Sequence, residues 1–117
     1  MDFQDQKAIY LQIADLIEER ILAQVWTERI PAIRELAAEL KVNPNTIART
    51  YAHLEAQGIM STQRGVGYFV APEARAHILE ARKAIFLKKT APEFLKTLQL
   101  LNIRLEDLVE LCQNPPA

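Results

Sequence analysis

The chain has 117 residues, 50% of them apolar and 25% charged, enough for one compact domain or a small domain with an appendage. Lys and Arg number 14 against 15 Asp and Glu, a net charge of −1, so bulk charge offers no argument for a nucleic-acid partner and any such contact rests on a local patch. The single cysteine, Cys112, excludes an intramolecular disulfide, and His53, His77 and Cys112 have no zinc-like spacing, so no metal or other cofactor is expected.

The N-terminal MDFQDQKAIY is acidic and polar, unlike a signal peptide, and no apolar run is long enough to span a bilayer. The expectation is a cytoplasmic protein without a membrane partner, with Cys112 a reduced thiol that packs a helix.

Residues 8–25 read as an amphipathic helix, with Ile9, Ile13, Leu16, Ile17 and Ile21 at spacings of three and four. Ile30-Pro31 breaks the pattern, because proline disfavours a helical conformation in the residue before it. A second helix carries Ile33, Leu36, Ala37 and Leu40 on its buried stripe, and Lys41-Val42 is the turn after it. Asn43-Pro44 then opens a third helix, with Asn as a strong N-cap and Pro at the first helical position. That helix runs to Gln57, where Gly58 can end it in a left-handed conformation. Two β-prone runs follow, Ile59–Gln63 and Tyr68–Val70, around a tip containing Gly65 and Gly67. Two helices on a tight turn followed by a hairpin point to a winged helix-turn-helix.

In the third helix Ile47, Tyr51 and Leu54 share a core face, while Asn45, Arg49 and His53 lie opposite, with Thr46 beside them. Taken alone, such a polar face is an ordinary solvated surface. With the hairpin following, it reads as a recognition helix, because Asn and Arg make bidentate contacts to adenine and guanine edges. Arg34 lies near the start of helix two, where helix-turn-helix proteins approach phosphates, and Arg64 beside Gly65 is placed to enter the minor groove or clamp a phosphate. Tyr10 has two readings: it packs beside the helix-one stripe or hydrogen-bonds a phosphate through its hydroxyl.

After Pro72 the character is purely helical. Ala74, Ile78, Ala81 and Ile85 form one stripe, widened by Leu79 and Phe86. Thr90-Ala91-Pro92-Glu93 reads as a capping box opening a short helix with Phe94, Leu95, Leu98 and Leu101. Asn102 is the stop, and a last helix holds Leu105, Leu108, Val109 and Cys112. So many sizeable apolar residues on short helices mark an interface. The expected homodimer uses Ile78, Leu79, Ile85, Phe86, Phe94, Leu98, Leu101, Leu105 and Leu108, and presents two recognition helices to a (pseudo)palindromic operator.

Tyr10-Leu11-Gln12-Ile13, Ile30-Pro31-Ala32-Ile33-Arg34-Glu35-Leu36-Ala37, Val42-Asn43-Pro44-Asn45-Thr46, Leu54-Glu55-Ala56-Gln57-Gly58 and Arg64-Gly65-Val66-Gly67-Tyr68-Phe69-Val70 resemble, in order and spacing, the GntR family of bacterial transcription regulators. The tail is similar to that of the YtrA-like subfamily, whose members carry a small helical dimerisation unit in place of a large effector domain. The resemblance implies that Arg34, Asn43, Asn45, Thr46, Arg49 and the Arg64-Gly65 wing contact DNA. It also implies control of a transporter operon, since YtrA-like regulators often accompany ABC transporter genes. Two departures stand out. Ala32 replaces the family's usual Ser cap, a loss of about 1 kcal/mol, and residues 24–30 lack the glycines usual there.

The expected fold is therefore mainly α with a small β-hairpin: a winged helix-turn-helix over residues 1–71 and a helical dimerisation region over 72–117. The expected function is transcriptional regulation, as a repressor binding double-stranded DNA as a homodimer, with a small-molecule effector seated between dimer helices. No Ser-His-Asp or Cys-His arrangement suggests an enzyme. The rival reading is a winged helix used as a protein-interaction module, since residues 1–71 carry seven Lys/Arg against nine Asp/Glu. Against it, helix three lacks the aromatic or aliphatic anchors of protein hot spots.

Overall fold

Helix α1 spans Ile9–Leu22 in a computed structural model that describes residues 7–116. It buries Ile13, Ala14, Ile17 and Ile21, the stripe that the spacing predicts. The helix stops three residues short of the expected end, because Gln24 turns left-handed at φ 60°. Val25 N–H then reaches back to the Arg20 carbonyl at 2.9 Å and Gln24 N–H to Ile21 at 3.1 Å, closing the helix end. Gln24 thus takes a backbone position for which glycine is the usual choice, in a segment that has no glycine.

The same closure ends α2 (Ile33–Leu40) at Lys41, φ 56°, and α3 (Pro44–Ala56) at Gly58, φ 76°. In α3 the bond from Ile59 N–H to the Leu54 carbonyl is 2.9 Å. At the start of α3, Asn43 Oδ1 accepts from Asn45 N–H at 2.8 Å with Pro44 in the first turn, as the sequence predicts. Ala32 precedes α2 with no side-chain cap bond, the consequence of its missing hydroxyl.

The hairpin strands are β2 (Met60–Gln63) and β3 (Gly67–Val70), and a further two-residue strand, β1 (Arg29–Ile30), pairs with β3 on its other side. The sheet is antiparallel in the order β1-β3-β2, with Ile30 opposite Tyr68 and Thr62 opposite Tyr68 on the far edge. Strand β1 fixes the base of the wing to the chain that enters α2.

The core joins α1, α2 and α3 through Ile17, Leu36, Ile47, Tyr51 and Leu54, and extends to Ala74 and Ile78. Two buried polar groups are satisfied within it. The Tyr51 hydroxyl donates to the Pro31 carbonyl at 2.7 Å, tying α3 to the entry of α2. Thr50 Oγ1 lies 3.0 Å from the Tyr10 carbonyl and 2.9 Å from that of Thr46, tying α3 to the first turn of α1. Burial, then the nearby Tyr68, Glu35 and Glu39, raise the pKa of the Tyr51 hydroxyl, so it remains a neutral donor.

Two compact units divide at Leu79/Glu80, inside helix α4 (Ala74–Ile85). Ala74 and Ile78 belong to the core of the first unit. After α4 the backbone does not break where the capping box was expected. It widens into a π-helical turn, Phe86–Thr90, and continues as α5 (Ala91–Leu100). Thr90 is itself helical, at φ −66° and ψ −48°, and makes no cap bond. The physical reason is Pro92: it has no N–H and its ring crowds the carbonyl four residues earlier, and a π turn opens the ladder there without ending the helix. Helix α5 closes at Asn102, φ 56°, and α6 spans Leu105–Gln113. Among the described residues, no helix is long and apolar enough to cross a membrane.

Candidate nucleic-acid interface

Helix α3 presents two chemically distinct faces. Ile47, Thr50, Tyr51 and Leu54 are buried, whereas Asn45 and Arg49 are exposed one turn apart and Thr46 and His53 are half-buried beside them. Asn43 uses its side-chain oxygen for the helix cap, and its amide N–H groups are donors for another partner.

Tyr10 is not simply packed under α1. Its half-buried ring lies beneath Arg49, whose guanidinium carbon is 4.0 Å from the ring centroid, and His53 meets the same ring edge-on at 5.8 Å. The Thr50 hydroxyl holds the backbone of Tyr10 against α3. Tyr10 thus stacks against an exposed arginine in a cation–π contact. Neither of the two readings made from sequence described this role, because the partner is set by how α1 crosses α3.

Arg34 is exposed in the first turn of α2, and Arg64 and Gly65 are exposed at the tip of the hairpin, with Gly65 at φ 78°. A residue the sequence pattern did not single out, Arg29, also reaches the wing: its Nη2 donates to the Val66 carbonyl at 2.7 Å. A two-residue strand is too short for periodicity to reveal. The one available signal was Gly67, two residues after Gly65, where a side chain passes close to the backbone.

In the second unit, Ile85, Phe86, Phe94, Leu101 and Leu105 are exposed, with Leu101 at 62%, and Leu108 is half-buried. Leu79, at the end of the first unit, is also exposed. Two residues expected at a dimer interface are already covered within the single chain. Ile78 is 3% exposed in the core of the first unit, and Leu98 is 6% exposed. They sit on the inward faces of their helices and have no surface left for a second subunit. Cys112, expected to pack a helix, is exposed.

A helix with Asn, Thr and Arg outward, a helix-turn-helix hinge buried around Tyr51, and a three-stranded wing define the class of winged helix-turn-helix DNA-binding proteins. Comparison with known proteins narrows the class. The family described as "Bacterial regulatory proteins, gntR family" matches residues 9–70. The chain is 39% identical over 110 residues to the uncharacterized HTH-type transcriptional regulator YhcF of Bacillus subtilis, covering 92% of this chain and 89% of that protein. It is 30% identical over 112 residues to the HTH-type transcriptional repressor YtrA of the same organism, covering 94% and 85%. Among solved structures, a GntR family transcriptional regulator from Listeria monocytogenes superposes with a TM-score of 0.68 at 30% identity, covering 97% of this chain and 100% of that one. The chain belongs to the GntR family of bacterial regulatory proteins. It is a DNA-binding transcriptional regulator, not an enzyme.

Proposed function

We propose that this regulator is a repressor that binds a (pseudo)palindromic operator as a homodimer, reading bases with Asn45, Thr46 and Arg49. The observation that carries the reading is the stacking of exposed Arg49 on Tyr10, on the face of α3 opposite its buried residues. An exposed arginine whose freedom is restricted by stacking is prepared for the bidentate contact to guanine. Arg34, Asn43, Arg64 and Gly65 anchor phosphates around it. Repression is favoured by the similarity to YtrA, a protein named as a repressor. The helices after Pro72 act as the dimerisation region, through the exposed apolar residues of the second unit. A small effector between dimer helices changes the spacing of the two α3 helices, and the regulated genes form a transporter operon, as the resemblance to YtrA-like regulators implies.

The test is a mobility-shift titration on a duplex that the wild-type protein enriches from a randomised library. Arg49→Ala should weaken the enriched duplex by about 1–3 kcal/mol and lower its preference over scrambled DNA. Arg34→Ala should weaken both duplexes about equally. If both variants bind like the wild type, the reading face has been assigned wrongly.

A further inference from the structure

An arginine side chain reaches the tip of the wing, while nearer the base the Thr62 hydroxyl of β2 donates to the Glu55 carboxylate of α3. Arg29 lies on β1 opposite Phe69, with its guanidinium carbon 5.7 Å from the Phe69 ring centroid. From there it runs along β3 to the tip, where Nη2 donates to the Val66 carbonyl at 2.7 Å. The guanidinium passes close to the backbone at Gly67. A Cβ at Gly67 would stand 2.9 Å from Arg29 Nη2 and 3.4 Å from Cζ, and the backbone there has φ +148°, which L side chains rarely adopt. Beside the tip, a groove of about 360 Å³ opens among Trp26, Pro31, Ala32, Glu35, Val66 and Gly67. Val66 itself is exposed. The tip therefore borders open space on that side, and the Arg29 hydrogen bond is the strut beside it.

Beyond the short β1 the wing narrows to two strands, and a two-stranded end is a weak support. A charge-assisted hydrogen bond from the strand at its base supplies a restraint. We propose that Arg29 is a positioning residue for DNA binding, holding the wing so that Arg64 meets the duplex. This rests on the reading of Arg64 as a DNA contact.

The experiment is a set of binding titrations with full-length protein on the enriched duplex, using Arg29→Ala, Arg64→Ala, their combination, and Arg49→Ala combined with Arg29→Ala. Arg64→Ala should weaken binding about tenfold in the wild-type background and less than about twofold once Arg29 is gone. Arg49→Ala should weaken binding by the same factor whether or not Arg29 is present, an outcome that general destabilisation would not give. Additive losses from Arg29→Ala and Arg64→Ala would overturn the proposal. Loss with Arg49→Ala but none with Arg64→Ala overturns it too, while leaving the reading of α3 standing. Loss with neither sinks both.

Discussion

Replacing Tyr10 separates two ways a tyrosine can serve a DNA-binding surface. In the structure its ring carries the Arg49 guanidinium at 4.0 Å, and its backbone carbonyl is held by Thr50. Cation–π stacking at an exposed site is worth about 0.5–1 kcal/mol. Freeing the arginine adds the entropy of immobilising it again on binding, about 0.5–1.5 kcal/mol. Tyr10→Leu removes the ring and should therefore weaken the enriched duplex by about 1–2.5 kcal/mol, roughly five- to sixtyfold. Tyr10→Phe keeps the ring and should stay within about twofold of the wild type. Fluorescence anisotropy on labelled enriched and scrambled duplexes measures both affinities, and thermal melting checks that each variant is folded. With Arg49 proposed to read bases, the loss in Tyr10→Leu should fall mainly on the enriched duplex. If Tyr10→Phe loses as much as Tyr10→Leu, the hydroxyl matters and the stacking argument fails. If Tyr10→Leu weakens both duplexes equally, Tyr10 does not act through Arg49.

Three other outcomes follow from the geometry. Gln24→Gly relieves a left-handed residue at the end of α1 and should raise stability by about 1 kcal/mol in urea unfolding; a decrease would show that the Gln24 side chain stabilises the loop. The Tyr51 hydroxyl has a pKa raised above its ordinary 10.0, so the folded state keeps a proton that the unfolded chain loses. Its contribution is whole below about pH 10 and declines as pH rises above that value. Wild-type melting temperature should fall faster than that of Tyr51→Phe above about pH 10, while at neutral pH the variant is weaker by about 1 kcal/mol for its lost bond to Pro31; parallel pH curves would refute this. Finally, sedimentation should show a dimer for the wild type and a folded monomer for Phe94→Glu combined with Leu105→Glu, since both residues are exposed in the single chain. A wild-type monomer at micromolar concentration would refute the dimer.

Much of the architecture is legible before any coordinates. Punctuation carries it: Asn43-Pro44 and Gly58 bracket α3, and the spacing of Ile47, Tyr51 and Leu54 separates its buried face from Asn45 and Arg49. Where local signals conflict, the pattern misleads. Thr90-Ala91-Pro92-Glu93 has the residues of a helix start, yet the chain keeps its helical turn and absorbs Pro92 in a π segment. Likewise the stripe through Ile78 and Ile85 looks uniform, but Ile78 is in the core and Ile85 is exposed.

What the sequence determined by itself was local or periodic: the helices, the hairpin, the outward polar face of α3 and the family. These depend on residues within one or two turns of each other, where capping, proline and hydrophobic spacing act directly. What only the tertiary structure decided was pairing across distance. The Tyr10 ring meets Arg49 because α1 crosses α3, and Arg29 reaches Val66 across 37 residues because β1 pairs with β3 beside a glycine. No spacing rule brings such groups together. Their encounter follows from burying Ile17, Leu36, Ile47 and Tyr51 in one core, and these surface contacts come with that packing.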